Sequence, residues 1–197
     1  MNRLIVSLFD HTGTWSQPYA DAGYRVERID IQDGRDVLDL RPSDFEDVHG
    51  VLNAMPCTHF ASSGARWFAA KDADGRTDEM VALLRHSLDL IDAWQPSWWV
   101  LENPIGRIAR FDARLGAPLL RFNPCDYGDP YTKRTCLYGR FNPRLPRAPV
   151  APIVVTTPSG ATGSWLWATL GGASERTKRL RSATPPGFAR AFFEANP

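Results

Sequence analysis

An α/β fold with a mostly parallel sheet and helices on both faces is predicted by three features of this 197-residue chain. Apolar runs end in polar, chemistry-bearing residues: Arg3–Phe9 before Asp10, Val48–Ala54 before Pro56-Cys57, and Trp98–Leu101 before Glu102-Asn103. Runs that are apolar throughout fit strands covered on both faces. Strand and helix patterns also alternate along the first half of the chain, the rhythm of a parallel sheet with crossover helices.

The elements follow in order. Arg3–Phe9 reads as a buried first strand, and Trp15–Gly23 as a short helix ending at its glycine. Tyr24–Ile31 alternates at Tyr24, Val26 and Arg28 and reads as the second strand; Val48–Ala54 is the third. Thr77–Trp94 is the clearest helix, with Met80, Leu83, Leu84, Leu88, Ile91 and Trp94 recurring at three- and four-residue spacing. Gln95-Pro96 breaks it, and Trp98–Leu101 is the fourth strand. Beyond Asn103, Pro118–Phe122, Thr135–Tyr138 and Ile153–Thr156 read as further strands, and Pro143–Pro152 as an extended connection. Ser174–Arg181 reads as a basic helix. Thr184–Ala195 reads as a closing helix that tolerates Pro185 and Pro186 in its first turn. Trp94, Trp98 and Trp99 read as core, whereas Trp165 and Trp167 are candidates for contact with a base or a partner.

Composition bounds the function. With 43% hydrophobic and 23% charged residues, residues 1–197 suit a single globular domain with a substantial core. No apolar stretch is long enough to span a membrane, and the N-terminal run meets Asp10-His11 at once, so neither a span nor a signal peptide is expected. Three cysteines without a Cys-x-x-Cys pair and four scattered histidines argue against a disulfide framework or a metal site, and the default compartment is a reducing cytoplasm. Charge is uneven: residues 1–103 hold 9 Lys+Arg against 17 Asp+Glu, and residues 104–197 hold 14 against 5. The basic half points to a polyanion such as nucleic acid, since its arginines mix with aromatics and prolines. The alternative is a basic half that covers the acidic one.

The chemistry concentrates at the strand ends. Parallel strands ending at Cys57 and Glu102 would deliver a thiol and a carboxyl to one rim, where ligands bind in open α/β sheets. That pair suits covalent catalysis on an electron-poor substrate. Taken singly, Cys57 also fits a small core residue, and Glu102-Asn103 a solvated strand end. The turn Ser7–Thr14 lies between a strand and a helix, where a nucleotide-like cofactor presents its polar end, and Asp30 is placed to take a ribose hydroxyl pair.

Together these residues resemble the cytosine-C5 DNA methyltransferase family. Ser7-Leu8-Phe9-Asp10-His11-Thr12-Gly13 is similar to its first motif, Asp-Leu-Phe-Ala-Gly-x-Gly. Pro56-Cys57-Thr58-His59-Phe60-Ala61-Ser62 resembles the nucleophile motif Pro-Cys-x-x-Phe-Ser, and Glu102-Asn103-Pro104 resembles Glu-Asn-Val. Tyr127–Thr135 aligns with Tyr-Gly-x-Pro-Gln-x-Arg-x-Arg, and Ser182-Ala183-Thr184-Pro185-Pro186 with the last motif. The resemblance implies a Rossmann-like S-adenosylmethionine-dependent methyltransferase fold that transfers a methyl group to C5 of cytosine in DNA. Cys57 is then the nucleophile that adds to C6, Glu102 the acid on the N3 edge of the base, and Lys133 the cation that orients it. S-adenosylmethionine would be held by Phe9, Asp10, Gly13 and Thr14, by Asp30 at its ribose, by Asp36 at its adenine amino group, and by Pro56, Ser182 and Thr184. A base in duplex DNA would have to be flipped out to reach Cys57.

The chain also departs from the pattern. His11 and Thr14 replace glycines, Ser7 replaces an acid, and Tyr131 and Thr135 replace the Gln and the second Arg. Only about 45 residues separate the Lys133 segment from the closing motif. Residues 141–172 would be a small proline- and glycine-rich insertion where the family carries a target-recognition domain, as in short phage-encoded members. Low sequence specificity is expected, with binding through the phosphate backbone. Two other readings stand beside this one: C5 modification of a free cytosine nucleotide or RNA, or a catalytically silent protein of the same fold that binds nucleic acid or a host factor.

Overall fold

The computed structural model describes residues 3–156, 160–166 and 175–197. Its centre is a six-stranded sheet of order β2-β1-β3-β4-β6-β5, formed by β1 (Leu4–Leu8), β2 (Arg25–Ile29), β3 (Val48–Asn53), β4 (Trp98–Pro104), β5 (Leu120–Phe122) and β6 (Thr135–Arg140). β1 pairs in parallel with β2 and β3, and β3 with β4. β6 runs antiparallel to both β4 and β5.

Alternation along the strands sorts side chains to two faces. Leu4, Val6, Leu8, Val51 and Leu101 pack on one face with Val81, Leu84, Leu88 and Ile91 of α3 (Arg76–Trp94). Ile5, Leu52, Val100 and Leu137 pack on the other with Trp15, Tyr19 of α1 (Gln17–Asp21), and Phe188 and Phe192 at the C-terminus. Helices therefore cover both faces, and the central strands are largely apolar on both sides for that reason, with Ser7 and Asn53 as buried polar exceptions. Trp98 is buried in the core with Tyr19 and Phe192, and Trp94 and Trp99 are half-buried against the core on the opposite face, in keeping with their sequence reading.

The departures have local causes. Between β2 and β3 the chain makes three 3₁₀ turns, at Ile31–Asp33, Val37–Asp39 and Pro42–Asp44. Asp30 and Asp36 each accept the backbone N–H two residues on, from Gln32 and Leu38 at 2.9 Å, an aspartate turn that competes with continued helix or strand. Residues 62–73 carry no clear periodicity yet form a 3₁₀ turn, Ser62–Trp67, that runs into α2 (Phe68–Ala73). β4 extends to Pro104, beyond the apolar run, because β6 pairs with it through Pro104↔Thr135.

In the C-terminal half, residues 141–153 carry no regular structure and lead into a hairpin of β7 (Val154–Thr156) and β8 (Thr162–Ser164). The basic helix α4 (Glu175–Ser182) and the closing helix α5 (Pro186–Ala195) follow. Residues 157–159 and 167–172 of the expected insertion, Trp167 among them, lie outside the described residues.

The topology places the site. From β1 the chain moves to β2 on one side and returns to β3 on the other, so the strand order reverses between β1 and β3. Ligand crevices in open α/β sheets form at such a switch point, outside the carboxyl ends of the strands.

Candidate active site at the switch point

A cleft of about 1480 Å³ opens at that rim. The turns after β1 and β2 supply Phe9, Asp10, His11 and Asp30; the turn after β3 supplies Pro56 and Cys57; the end of β4 supplies Glu102. Because β6 is reversed, its start faces the same rim, and the segment before it contributes Thr132, Lys133 and Arg134. Leu166, Arg181, Ser182 and Thr184 line it from the C-terminal part.

Cys57, Glu102 and Lys133 come together from three separate elements. Glu102 Oε1 lies 3.7 Å from Lys133 Nζ, and both side chains are only 14% exposed, so little water screens the pair. Burial pushes the Cys57 thiol above its ordinary value; Lys133 pulls it down and Glu102 pushes it up. The resting thiol is therefore protonated at neutral pH and carries its nucleophilic form only in more alkaline solution. Asn103 Nδ2 donates to Met55 O at 2.9 Å, tying the end of β4 to the Cys57 turn.

The loop after β1 is held as firmly. Phe9 has φ 61, a left-handed conformation that an aromatic residue adopts rarely and at a cost. Buried Asp10 accepts from Ser7 Oγ (2.9 Å), Ser16 Oγ (2.8 Å) and Ser16 N (3.2 Å), all on Oδ2. Burial raises its carboxyl, against the lowering effect of those bonds. Asp30 Oδ2 accepts from His11 N at 3.1 Å, and His11 Nδ1 lies 2.9 Å from Asp33 Oδ1. Gly13 has φ 67, and a Cβ there would strike the Arg28 guanidinium.

Of the sequence-predicted residues, Cys57, Glu102, Lys133, Phe9, Asp10, Asp30, Pro56, Ser182 and Thr184 line the cleft. Gly13, Thr14 and Asp36 do not: Gly13 and Thr14 shape the loop behind it, and Asp36 caps the turn at Val37–Asp39. Trp165 packs edge-on against Tyr131, ring centroids 5.9 Å apart, and is half-buried. The Tyr127–Pro130 part of the fourth motif does structural work. Tyr127 lies in the core against Phe122 and Phe188, and Asp129 Oδ2 accepts from Gly187 N at 2.9 Å at the start of α5.

Sequence reasoning missed His11, Asn123, Arg134 and Arg181 as cleft residues and Arg107 beside it. Arg134 and Arg181 stand out only as members of a basic half. Among the described residues no group of three or more His, Cys, Asp or Glu is placed to hold a metal ion, and no helix is long and apolar enough to cross a membrane.

No protein-family model matches the chain, and no curated protein matches it. Among solved structures, it is similar to that of a candidate DNA modification methyltransferase encoded within an E. coli prophage, at 16% identity and a TM-score of 0.47. The match covers 88% of this chain and 56% of that one, so the chain spans little more than half of that protein's length.

Proposed function

We propose that this chain is an S-adenosylmethionine-dependent methyltransferase that modifies C5 of cytosine in DNA through a covalent adduct on Cys57. The carrying observation is the convergence of Cys57, Glu102 and Lys133 in one water-poor corner of a cleft at the sheet's switch point. The remainder of that cleft suits the cofactor. Each Asp30 oxygen accepts one backbone N–H, which leaves each a further lone pair for a hydroxyl of a ribose. Exposed Ile31 beside it offers an apolar wall for a ring. Bound there, S-adenosylmethionine would supply an electrophilic methyl group.

The residues account for the remaining chemistry. Cytosine C5 is too weak a nucleophile to take that methyl group unaided. Sγ of Cys57 bonds to C6 as the thiol passes its proton to water, while Glu102, protonated from solvent, gives that proton to N3, which leaves an enamine with nucleophilic C5. Lys133 compensates the charge that develops on the ring. After C5 is methylated, N3 returns its proton to Glu102, a base such as water removes the C5 proton, the C6–S bond breaks and the thiolate is released. Burial raises the thiol's value, and Lys133 is the nearby cation that opposes the rise and favours the thiolate.

Nucleoside mass spectrometry on DNA from cells that express the chain tests this reading. The expected product is a cytosine heavier by one methyl group, absent with Cys57→Ala. A product that persists in the variant would sink the covalent mechanism; a different mass increment would replace the methyl donor.

A further inference from the structure

The backbone carbonyls around Cys57 are captured one after another. Met55 O accepts from Asn103 Nδ2 at 2.9 Å, Thr58 O from Lys71 Nζ at 2.6 Å, His59 O from Arg107 Nε at 3.0 Å and Phe60 O from Arg107 N at 2.9 Å. Cys57 O itself accepts from the N–H groups of Phe60 (3.0 Å) and Ala61 (2.9 Å). Arg107 thus takes two consecutive carbonyls, one with its main chain and one with its side chain. Its guanidinium is fixed from the far side. Nη1 and Nη2 donate to the two Asp72 oxygens at 2.6 and 2.7 Å, Nη2 also reaches Thr77 Oγ1 at 3.2 Å, and the group lies 3.7 Å from the centre of the Phe68 ring. The approach is close because the preceding residue is Gly106, where a Cβ would enter the Phe60 carbonyl.

We propose that Arg107 is a positioning residue for the nucleophile: it sets the direction of the Cys57 thiol between Glu102 and Lys133 without touching substrate or cofactor. A turn on a sheet rim is the kind of segment that samples several conformations unless its polar groups are held. A planar fork fixed on Asp72, Thr77 and Phe68 presents its Nε to His59 O in one orientation, which a flexible ammonium cannot reproduce. Stability is the lesser part of the role. Asp72 is 46% exposed, and an ion pair with such a partner contributes little to folding. Burial is the main influence on the thiol's charge state, ahead of the charges of Lys133, Glu102 and Arg181, so Arg107 can reach it only by holding the turn that buries it. Its influence on Cys57 is geometric.

The proposal rests on Cys57 being the nucleophile, but its test reads the thiol directly and needs no turnover. Iodoacetamide alkylation of Cys57 is followed against pH by peptide mass spectrometry in the full chain, in Arg107→Lys and in Asp72→Asn, with thermal unfolding as the check on folding. The expected result is a cooperatively folded Arg107→Lys in which the alkylation midpoint moves down toward an ordinary thiol. Each pH unit of that shift raises the thiolate fraction about tenfold below the midpoint. Asp72→Asn should move it the same way, by less, since the fork is loosened but keeps its carbonyl contacts. A folded Arg107→Lys with the native profile overturns the proposal. If that variant does not fold, Asp72→Asn decides, and an unchanged profile there overturns it equally. Methylated product that survives Cys57→Ala would instead defeat the nucleophile assignment and leave the alkylation result standing.

Discussion

Glu102 acts on Cys57 in two opposed ways. Its charge raises the thiol's pKa, together with burial, yet the proposed reaction needs its proton on the base. Glu102→Gln should therefore make Cys57 easier to alkylate near neutral pH while turnover falls by roughly two orders of magnitude, a usual range for a lost acid. Alkylation and turnover that change in the same direction would contradict that assignment. Asp10 shows a different kind of commitment. One carboxylate oxygen holds three donors in the core, so Asp10→Ala strands them and should cost roughly 2–4 kcal/mol in urea unfolding. Burial raises the Asp10 carboxyl above its unfolded value, so its contribution to stability is fullest in acid, below the unfolded value, and is lost as pH rises through the folded value. Cys57, Glu102 and Asp30 were legible in the sequence because each lies near the carboxyl end of a strand. Arg107 was not, because its role depends on how closely Gly106 approaches Phe60, a distance that no spacing rule contains.

Among the elements, most strands were legible from apolar runs, β2 from its alternation and α3 from its spacing, whereas β8, Thr162–Ser164, has no apolar run to reveal it. The 3₁₀ turns between β2 and β3 were not, since side-chain capping by Asp30 and Asp36 decides them rather than any periodicity. The closing helix was read correctly as a helix, but not its means of attachment. Gly187 lies against the Tyr127 carbonyl, where a Cβ has no room, and its N–H is held by Asp129. Gly187→Ala must push α5 outward, although alanine is the better helix former. Overpacking should outweigh propensity and cost about 2 kcal/mol. A thermal unfolding midpoint at or above that of the native chain would show that α5 shifts freely. Since Ser182 and Thr184 line the cleft just ahead of α5, the same variant should also weaken cofactor binding, read by calorimetric titration.

For the molecule as a whole, the cleft draws on both charge halves of the sequence. Asp10, Asp30 and Glu102 line it from the acidic half, and Lys133, Arg134 and Arg181 from the basic one. If the proposed DNA substrate is correct, affinity for an oligonucleotide should fall steeply with salt as counterions are released. Arg134→Gln should lower the slope of that dependence by about one. A flat dependence would favour a free nucleotide. Molecular architecture also has an order in time. Tyr19 Oη donates to Asn196 O across 177 residues, and Phe188 and Phe192 of α5 complete the face that contains Trp15, Tyr19 and Trp98. On a ribosome, then, those aromatic side chains emerge long before the helix that covers them. A nascent chain halted short of α5 would display a sticky, half-finished surface of the kind that chaperones shield.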